Sequence, residues 1–372
     1  MTDVLVSGAS VAGATAAYWL GRHGYSVTVV ERHPGPRPGG QAIDVRGPAL
    51  GVLERMGLLA AAQARKTQIR GASVVDRDGN ELSRDTEATP TGGPIDSPDI
   101  ELLRDDLVEL LYGASQWTAE YLFDDTITGL DDDGAAVHVT FQHAPARSFD
   151  LVIGADGLHS NVRALVFGAE EQFIERLGTH AAIFTVPNFL DLDYWQTWHY
   201  GDSTMAGIYS ARNNTEARAM LGFMDAELRI DYRDTEAQFA ELERRMADDG
   251  WVRPQLLQYL RTAPDFYFDE MSQIKMDRWS KGRVALVGDA AYCCSPLSGQ
   301  GTSVALLGAY ILAGELAAAG DDYELGFANY HKEFNDYVKR NQWLVVDNIP
   351  GGAPIPQEVF DRIVSSITLK DY

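Results

Sequence analysis

The residues that most constrain the fold lie at the N-terminus, where a strand, a glycine turn, a helix and a second strand follow one another. Residues 4–7 form an apolar run that indicates a buried strand, and residues 8–13 read Gly-Ala-Ser-Val-Ala-Gly. Residues 14–20 are typical of a helix, and the apolar run 27–30 ends in Glu31. This order is that of the βαβ unit that binds a dinucleotide. A glycine turn alone occurs in any α/β protein, so the interpretation depends on the flanking elements.

Each position of this unit suits a dinucleotide. Gly8 allows a tight turn off the strand, and Gly13 allows the helix to pack closely on the sheet. The helix N-terminus presents free N–H groups and a positive dipole end to a pyrophosphate. Ser10 stands where glycine is usual and is small enough to admit the phosphates. Glu31 can accept hydrogen bonds from both ribose hydroxyls of an adenosine, so the sequence predicts dinucleotide binding.

Two later strands also end in small residues and an acid. Residues 150–153 run into Gly154-Ala155-Asp156-Gly157, and residues 283–287 run into Gly288-Asp289. An acid at the carboxyl end of a strand, just before a helix, stands where ligands bind in α/β sheets. Residues 296–302 then read Pro-Leu-Ser-Gly-Gln-Gly-Thr before a further helix. The N-terminus of that helix would favour a partial negative charge, such as that on a reduced flavin ring.

Two arginines are candidates for contacting the bound dinucleotide. Arg46 precedes a helix predicted over 48–56, and it could contact a phosphate or a flavin edge, or lie on the surface. Arg104 lies at the start of a helix in the helically spaced segment 100–111, where a cation opposes the helix dipole unless an anion is near. A phosphate contact and a salt bridge with a neighbouring carboxylate both explain it.

The middle of the chain, 165–275, consists of strand-like segments rich in aromatic residues. Trp198, Tyr200 and Phe223 offer surfaces suited to a flat apolar ligand, although packing in the core or on a sheet face explains each of them as well. Further strands are predicted over 72–75, 181–186, 205–210 and 220–224, and further helices over 236–247, 303–318, 324–345 and from Gln357, after a Pro/Gly break over 349–356.

Composition limits the class of protein. The 372 residues are 45% hydrophobic and 10% aromatic, as in a globular protein with a core, and their number favours two joined domains. The formal charge of −23 argues against nucleic acid and against an anionic membrane surface. We expect no signal peptide, and no membrane span because no run approaches about 18 apolar residues, so the predicted location is cytoplasmic.

The two cysteines are adjacent, at Cys293 and Cys294, which excludes a disulfide framework and a cysteine-based zinc site. Two small loop residues are favoured over a strained vicinal disulfide. The histidines lack metal-ligand spacing such as HExxH, so no metal is predicted.

Together, the turn at 8–13 with Glu31, the turn at 154–157 and the motif at 288–301 resemble those of the single-component FAD-dependent aromatic hydroxylases, the para-hydroxybenzoate hydroxylase-like class A flavoprotein monooxygenases. The chain is most similar to their tetracycline-inactivating and polyketide-tailoring branch, judged from its compact length and residues 338–342. It departs from the family at Tyr292-Cys293-Cys294-Ser295, where a histidine and apolar residues are more usual.

The resemblance implies an α/β fold with a Rossmann-type FAD-binding domain, built on a glutathione reductase-like βαβ unit, with an inserted mixed-sheet substrate domain and C-terminal helices. The implied domains are a discontinuous FAD-binding domain (1–70, 98–165 and 276–325), a substrate-binding domain (71–97 and 166–275) and a C-terminal helical segment (326–372).

The resemblance also implies roles for individual residues. The first turn would line the pyrophosphate, Glu31 would bind the adenosine ribose, and Arg104 would meet the ribityl-phosphate side of the flavin. Asp156 would serve FAD and the nicotinamide cofactor, Asp289 would hold a ribityl hydroxyl, and residues 296–302 would pass along the isoalloxazine ring. The candidate cofactor-binding residues are Gly8, Ser10, Ala12, Gly13, Glu31, Arg32, Arg46, Arg104, Asp156, Asp289, Pro296, Gly299, Gly301 and Thr302. The candidate substrate-contacting residues are Tyr200, Phe223 and Pro296.

The implied activity is that of an NAD(P)H- and FAD-dependent monooxygenase, which hydroxylates an aromatic or polycyclic, polyketide-like small molecule with dioxygen through a flavin hydroperoxide. The chemistry would belong to the cofactor, while the protein positions the substrate and excludes water. NADH and NADPH are both compatible donors. A flavin-dependent dehydrogenase or reductase without oxygen insertion, and a non-catalytic FAD- or ligand-binding protein, are the alternatives. We expect a monomer or weak dimer.

Overall fold

Alternating apolar strands and helices build two large β-sheets. The computed structural model describes residues 1–247, 250–347 and 352–372. The strands are β1 (Asp3–Ser7), β2 (Ser26–Glu31), β3 (Ala42–Val45), β4 (Ala72–Val75), β5 (Glu81–Asp85), β6 (Ala88–Thr89), β7 (Gly93–Pro94), β8 (Ile100–Leu103), β9 (Ala119–Phe123), β10 (Ile127–Asp132), β11 (Val137–Phe141), β12 (Arg147–Phe149), β13 (Leu151–Gly154), β14 (Ile174–Val186), β15 (Gln196–Tyr200), β16 (Thr204–Ala211), β17 (Glu216–Met224), β18 (Tyr267–Ile274), β19 (Ser280–Lys281) and β20 (Val284–Leu286).

The helices complete the element order. They are α1 (Val11–Arg22), α2 (Pro48–Arg55), α3 (Leu59–Ala64), α4 (Arg104–Ser115), α5 (Asn161–Val166), α6 (Thr235–Met246), α7 (Arg253–Leu260), α8 (Asp289–Tyr292), α9 (Gly301–Ala319), α10 (Tyr323–Trp343) and α11 (Gln357–Val364), with 3₁₀ turns at Glu170–Gln172, Pro296–Ser298 and Leu344–Asp347.

The first sheet has the strand order β19-β20-β13-β1-β2-β9, and every pair except β19 with β20 is parallel. Its central strands are continuous apolar runs because helices cover both faces of a parallel sheet. The first βαβ unit lies at its centre, with α1 packed against α4 and α9. The predicted α/β fold class and its N-terminal βαβ unit are confirmed.

The second sheet has the order β18-β14-β17-β16-β15-β4-β5 and is antiparallel apart from the pair of β15 with β4. Alternate residues of β14, β16 and β17 form a separate hydrophobic core with α6 and α7. The opposite face carries Trp198 and Tyr209, together with Ala42 from β3. This sheet draws on residues 72–85 and 174–274, and the exact domain boundaries given above remain a prediction.

The helical pattern over 100–111 is wrong for its first four residues. These residues form the fully buried strand β8, which pairs antiparallel with β3, and α4 begins only at Arg104. A partner strand far earlier in the chain overrides the local pattern. Residues 32–41 contain no helix or strand, and β3 begins at Ala42.

One helix, α9, bears on the expectation that the chain has no membrane span. This helix is long and apolar enough to cross a bilayer by length and composition, with a mean hydropathy of 1.5, although 78% of that stretch is buried inside the protein. It packs on α1, α2 and α10 as a core helix does. Of the predicted Pro/Gly break over 349–356, residues 349–351 lie outside the described residues, and the helix predicted from Gln357 is confirmed as α11.

Candidate functional site

The three predicted motifs meet at the carboxyl edge of the first sheet. Strands β1, β13 and β20 are adjacent and parallel, so their carboxyl ends share one edge. The Ala155 N–H donates to the Ser7 carbonyl at 2.8 Å, and the Val287 N–H donates to the Gly154 carbonyl at 2.9 Å. Segments far apart in the sequence therefore form a single surface, where ligands bind in parallel α/β sheets.

Glycine is required at this edge because backbones touch there. A Cβ on Gly8, whose φ is +99°, would lie 2.5 Å from the Ala155 carbonyl oxygen. A Cβ on Gly13 would lie 1.8 Å from the Gly8 carbonyl oxygen, and one on Gly288 would lie 2.8 Å from the Ala12 Cβ. Real Cβ atoms essentially never come closer than 3.0 Å to another atom. The glycines thus allow the three motifs to pack directly against one another.

The first turn of α1 and the end of β2 form one corner of the site. Ser10 is the exposed N-cap of α1, and within the described chain its side chain makes no capping hydrogen bond. One carboxylate oxygen of Glu31 accepts from the Ala9 N–H at 2.8 Å, and the other accepts from the His33 N–H at 2.9 Å. Both oxygens keep a free lone pair. This corner fits a pyrophosphate at the helix N-terminus and a ribose at Glu31.

The two predicted acids, Asp156 and Asp289, have different surroundings. Asp289 is exposed to solvent, and desolvation by the surrounding protein raises the pKa of its carboxyl group. Desolvation also raises the pKa of Asp156, whose oxygens accept from the Ser160 hydroxyl at 2.5 Å and from the Val162 N–H at 3.0 Å. Asp156 thus shapes its own turn, and Asp289 is the better placed of the two to contact a ligand.

Residues 295–301, which lead into α9, have a strained backbone, open space around two glycines and a buried side-chain amide without a partner among the described residues. Ser295 has a φ of +69°, which is unusual for a residue other than glycine. A Cβ on Gly299 or Gly301 would meet no described atom within 4 Å. Gln300 is 0% exposed, and in the described part of the chain neither polar atom of its side chain has a hydrogen-bond partner. Buried polar groups are normally paired, so this amide is a candidate contact of a bound group.

These features fit a flavin. The exposed Pro296 and the partly exposed Thr302 flank the segment with open space around its glycines. A flat ring with polar edges must come close to the backbone, and the open space around these glycines allows this. Its polar edge could form a hydrogen bond with the Gln300 amide. The N-terminus of α9 faces the same end of the segment and favours negative charge.

Arg104 holds the loop before β3 in place through hydrogen bonds to the loop backbone. Its guanidinium donates to the carbonyls of Arg37 at 3.1 Å and Gly39 at 2.6 Å. Burial lowers the pKa of Arg104 to about 10. Arg218, also buried, donates to the Gly40 carbonyl at 3.2 Å. Among the described residues Arg104 has no salt bridge with a carboxylate, so that explanation is wrong, and the phosphate contact stays a prediction.

Arg46 is not a surface residue, because it is only 5% exposed. It pairs with Asp44 at 2.8 Å and with Asp99 at 3.4 Å, and it donates to the Gly92 carbonyl at 3.0 Å. Two carboxylates already compensate its charge, which does not favour a phosphate contact. Arg32, by contrast, is exposed just after β2.

One face of the second sheet forms an aromatic surface. A Cβ on Gly207 would lie 2.3 Å from the Trp198 ring, so Gly207 allows the indole to lie flat across β16. The Tyr200 ring is stacked beside Trp198, with centroids 6.5 Å apart and planes inclined by 13°, and Tyr200 is 51% exposed. Met205 and Met220 pack against the Trp198 cluster and are partly buried. Trp198 itself is 2% exposed, so Tyr200 and the two methionines are the parts of this surface that a flat apolar molecule can reach.

Phe223, the other predicted substrate contact, belongs to the opposite face. It is 1% exposed and lies in the core beneath α6, where it stacks on His180 with centroids 4.9 Å apart. Successive residues of a strand point to opposite faces, and the β17 register directs this ring away from the aromatic surface. The prediction that it contacts the substrate is therefore wrong.

The unusual residues before Pro296 are structural. Cys293 and Cys294 are free, buried thiols, which confirms the favoured prediction over a vicinal disulfide. Tyr292 is 2% exposed and shares a hydrogen bond of 2.9 Å with the Tyr330 hydroxyl. A Cβ on Gly308 would lie 1.9 Å from the Tyr292 hydroxyl, so α9 has a glycine where this ring packs.

Sequence reasoning missed Arg163, which joins two of the motifs. Its buried guanidinium donates to the carbonyls of Ala290 at 2.9 Å and Leu158 at 2.6 Å, and to Glu170 at 2.8 Å. Desolvation lowers its pKa. The only signal in the sequence was a cation soon after the Asp156 turn, and its partners lie on separate elements.

Comparisons with known proteins agree with this geometry. A family model described as an FAD binding domain matches residues 1–341. An uncharacterized protein of Mycobacterium tuberculosis is 84% identical over 372 residues, which cover 100% of both chains. A flavin-dependent monooxygenase of Legionella longbeachae is 38% identical over 373 residues, covering 98% of this chain and 95% of that protein. The crystal structure of the tetracycline destructase Tet(51) superposes with a TM-score of 0.90 at 33% identity, covering 100% of both chains.

The match to the family model spans most of the chain, and two relatives with near-complete coverage carry flavin-monooxygenase or tetracycline-destructase names. The resemblance drawn from the three motifs is confirmed. The chain belongs to the FAD-binding family of flavin-dependent monooxygenases.

Proposed function

We propose that the protein is a cytoplasmic monooxygenase that uses NADH or NADPH and dioxygen to hydroxylate an aromatic or polycyclic, polyketide-like small molecule. The convergence of the three motifs on one sheet edge, in a protein whose second sheet carries an aromatic cluster with Tyr200 exposed at its edge, is the observation that carries this proposal. Bound FAD would supply the redox chemistry, accepting a hydride from the nicotinamide and delivering one oxygen atom of dioxygen to the substrate.

The residues of the sheet edge would hold the cofactor. The first turn of α1, with Ser10 and Ala12, would surround the pyrophosphate, and Glu31 would accept from the adenosine ribose. Asp289, which is exposed at the end of β20, would accept from a ribityl hydroxyl. The backbone of residues 296–302 would pass along the ring, and the N-terminus of α9 would stabilise the negative charge of its reduced form.

The second sheet would hold the substrate. Trp198 lies flat over Gly207, and Tyr200 and Met205 extend the apolar surface toward solvent. Stacking on the exposed Tyr200 ring at the edge of this surface would orient a planar molecule and keep water from the reacting atoms. Tet(51), a tetracycline destructase, shares this fold along its whole length, which supports a polycyclic substrate for this chain.

A screen of substrates tests the proposal. The purified protein, loaded with FAD, is mixed with NADH or NADPH and a panel of phenolic and polycyclic compounds, and the oxidation of the nicotinamide is followed by absorbance. We expect selected compounds to stimulate the oxidation and to gain one oxygen atom by mass spectrometry. Stimulated oxidation with every compound recovered unchanged would favour a reductase and contradict the proposal.

A further inference from the structure

His159 bridges two carboxylates from different elements. Its Nδ1 lies 3.0 Å from Glu170 Oε1, and its Nε2 lies 3.1 Å from Asp269 Oδ2 on β18. Its ring stacks on Tyr232 with centroids 3.8 Å apart and planes inclined by 2°. Two carboxylates on opposite ring nitrogens require both nitrogens to donate, which only the protonated imidazole can do.

His159 belongs to the turn of residues 154–160, the Asp156 turn. That turn supports the corner formed by the first turn of α1 and Glu31, which is called the phosphate corner below. The Asp156 carboxylate closes the turn by accepting from Ser160 and from the Val162 N–H. A Cβ on Gly8 would lie 3.1 Å from the Asp156 Cα, so the turn packs directly on the glycine turn of β1. A displacement of the Asp156 turn would therefore move the backbone that faces the pyrophosphate.

Glu170 connects His159 to the Asp289 motif. Glu170 also binds the Arg163 guanidinium at 2.8 Å, and Arg163 donates to the carbonyl of Ala290, the residue after Asp289. One chain of contacts thus runs from β18 through His159 and Glu170 to both acidic turns. Because β18 is an edge strand of the second sheet, this chain joins that sheet to the FAD site.

The charges around His159 keep it protonated. Burial lowers the pKa of His159, but the hydrogen bonds to Asp269 and Glu170 outweigh it and raise the pKa to about 9. The other groups near this cluster are Arg163 and Arg176 beside Glu170, Tyr267 with its hydroxyl on Asp269, Arg233 over the Tyr232 ring, and Asp156 within the same turn.

We propose that protonated His159 is a positioning residue that fastens β18 of the second sheet to the Asp156 turn and thereby holds the phosphate corner of the FAD site in its binding shape. This inference rests on the proposed FAD site. His159 need not touch the cofactor, since it acts through the turn that it holds. Loss of its charge would release the turn from Asp269 and weaken FAD binding.

Titration of the apoprotein with FAD tests the inference, with the quenching of flavin fluorescence as the signal at about pH 7 and about pH 10. The variants are His159→Gln and Asp269→Asn, which remove a charge and keep hydrogen-bonding capacity. We expect both to raise the Kd for FAD roughly tenfold at about pH 7. The wild-type Kd should rise by a similar factor at the higher pH, and His159→Gln should lack this step.

His138→Gln is the matched control. His138 pairs with Asp133 at 3.0 Å and with Ser148, all within one exposed β-hairpin region. We expect this variant to follow the wild type at both pH values. A thermal melt of each variant separates loss of folding from loss of affinity.

Kd values for His159→Gln and Asp269→Asn within twofold of the wild type at both pH values would overturn the inference and leave the proposed function intact. If His159→Gln does not fold, Asp269→Asn and the pH series of the wild type decide. A wild type that binds no FAD would overturn both the proposed function and this inference.

Discussion

Gly13→Ala is the most direct perturbation of the phosphate corner. The added methyl would lie 1.8 Å from the Gly8 carbonyl oxygen, whereas real Cβ contacts keep at least 3.0 Å. The first turn of α1 and the turn after β1 must therefore separate by more than an ångström. The N–H groups that would face the pyrophosphate belong to these two turns, so the substitution changes the shape of the site.

Two opposing terms set the size of the effect. Overpacking of this kind costs about 1 to 3 kcal/mol. Replacing glycine by alanine inside a helix stabilises the helix by about 1 kcal/mol. We therefore expect a modest change in the free energy of unfolding of the apoprotein. Because the distortion lies where FAD would bind, we expect the Kd for FAD to rise roughly fivefold to 150-fold, the factor that corresponds to about 1 to 3 kcal/mol.

Fluorescence titration with FAD measures this effect, and thermal unfolding of the apoprotein measures the stability term. Gly113→Ala in α4 is the control, since its added methyl would meet no described atom within 4 Å. We expect this control to bind FAD as the wild type does. Equal FAD affinities for Gly13→Ala and the wild type would refute the assignment of this corner to the cofactor.

Other substitutions test the two sheets and the bridging histidine. Gly207→Ala, whose methyl would lie 2.3 Å from the Trp198 ring, should raise the KM for the substrate identified by the screen and leave the Kd for FAD unchanged. Phe223→Ala should lower the free energy of unfolding by about 3 to 5 kcal/mol in a denaturant titration, because this ring is in the core, while Tyr200→Ala should change it by less than about 0.5 kcal/mol. Since the folded-state pKa of His159 is raised from 6.5 to about 9, its ion pairs contribute fully below about pH 6.5, and up to about 3 kcal/mol is lost as the pH rises through about 9. Unfolding of the wild type and of His159→Gln at several pH values checks this, and equal slopes would contradict it.

Local sequence patterns predicted the parts of the site that local chemistry determines. Glycine at 8 and 13 and an acid at 31 are dictated by the tight turn, the close helix and the end of β2, and each contact is formed in the structure. The acid in Gly288-Asp289 could likewise be placed at a strand end. These features need no knowledge of distant partners.

The rest of the fold and of the site depended on contacts between residues far apart in the chain, and the sequence does not identify those contacts. Residues 100–103 are a strand because β3 pairs with them, although their spacing suits a helix. The charge of Arg46 is compensated by Asp44 and Asp99, and only the β3–β8 ribbon brings Asp99 near. Phe223 faces the core because the register of β17 directs it there, and alternation along one strand cannot say which face meets the cofactor.

The fate of dioxygen tests the central claim most directly. The FAD-loaded protein, a nicotinamide donor and a compound that stimulates its oxidation are incubated under isotopically labelled dioxygen, and the product is analysed by mass spectrometry. A monooxygenase places one labelled oxygen atom in the product for each nicotinamide oxidised in a coupled turnover. Unlabelled product, or labelled oxygen recovered only as hydrogen peroxide with every compound that stimulates oxidation, would contradict the account.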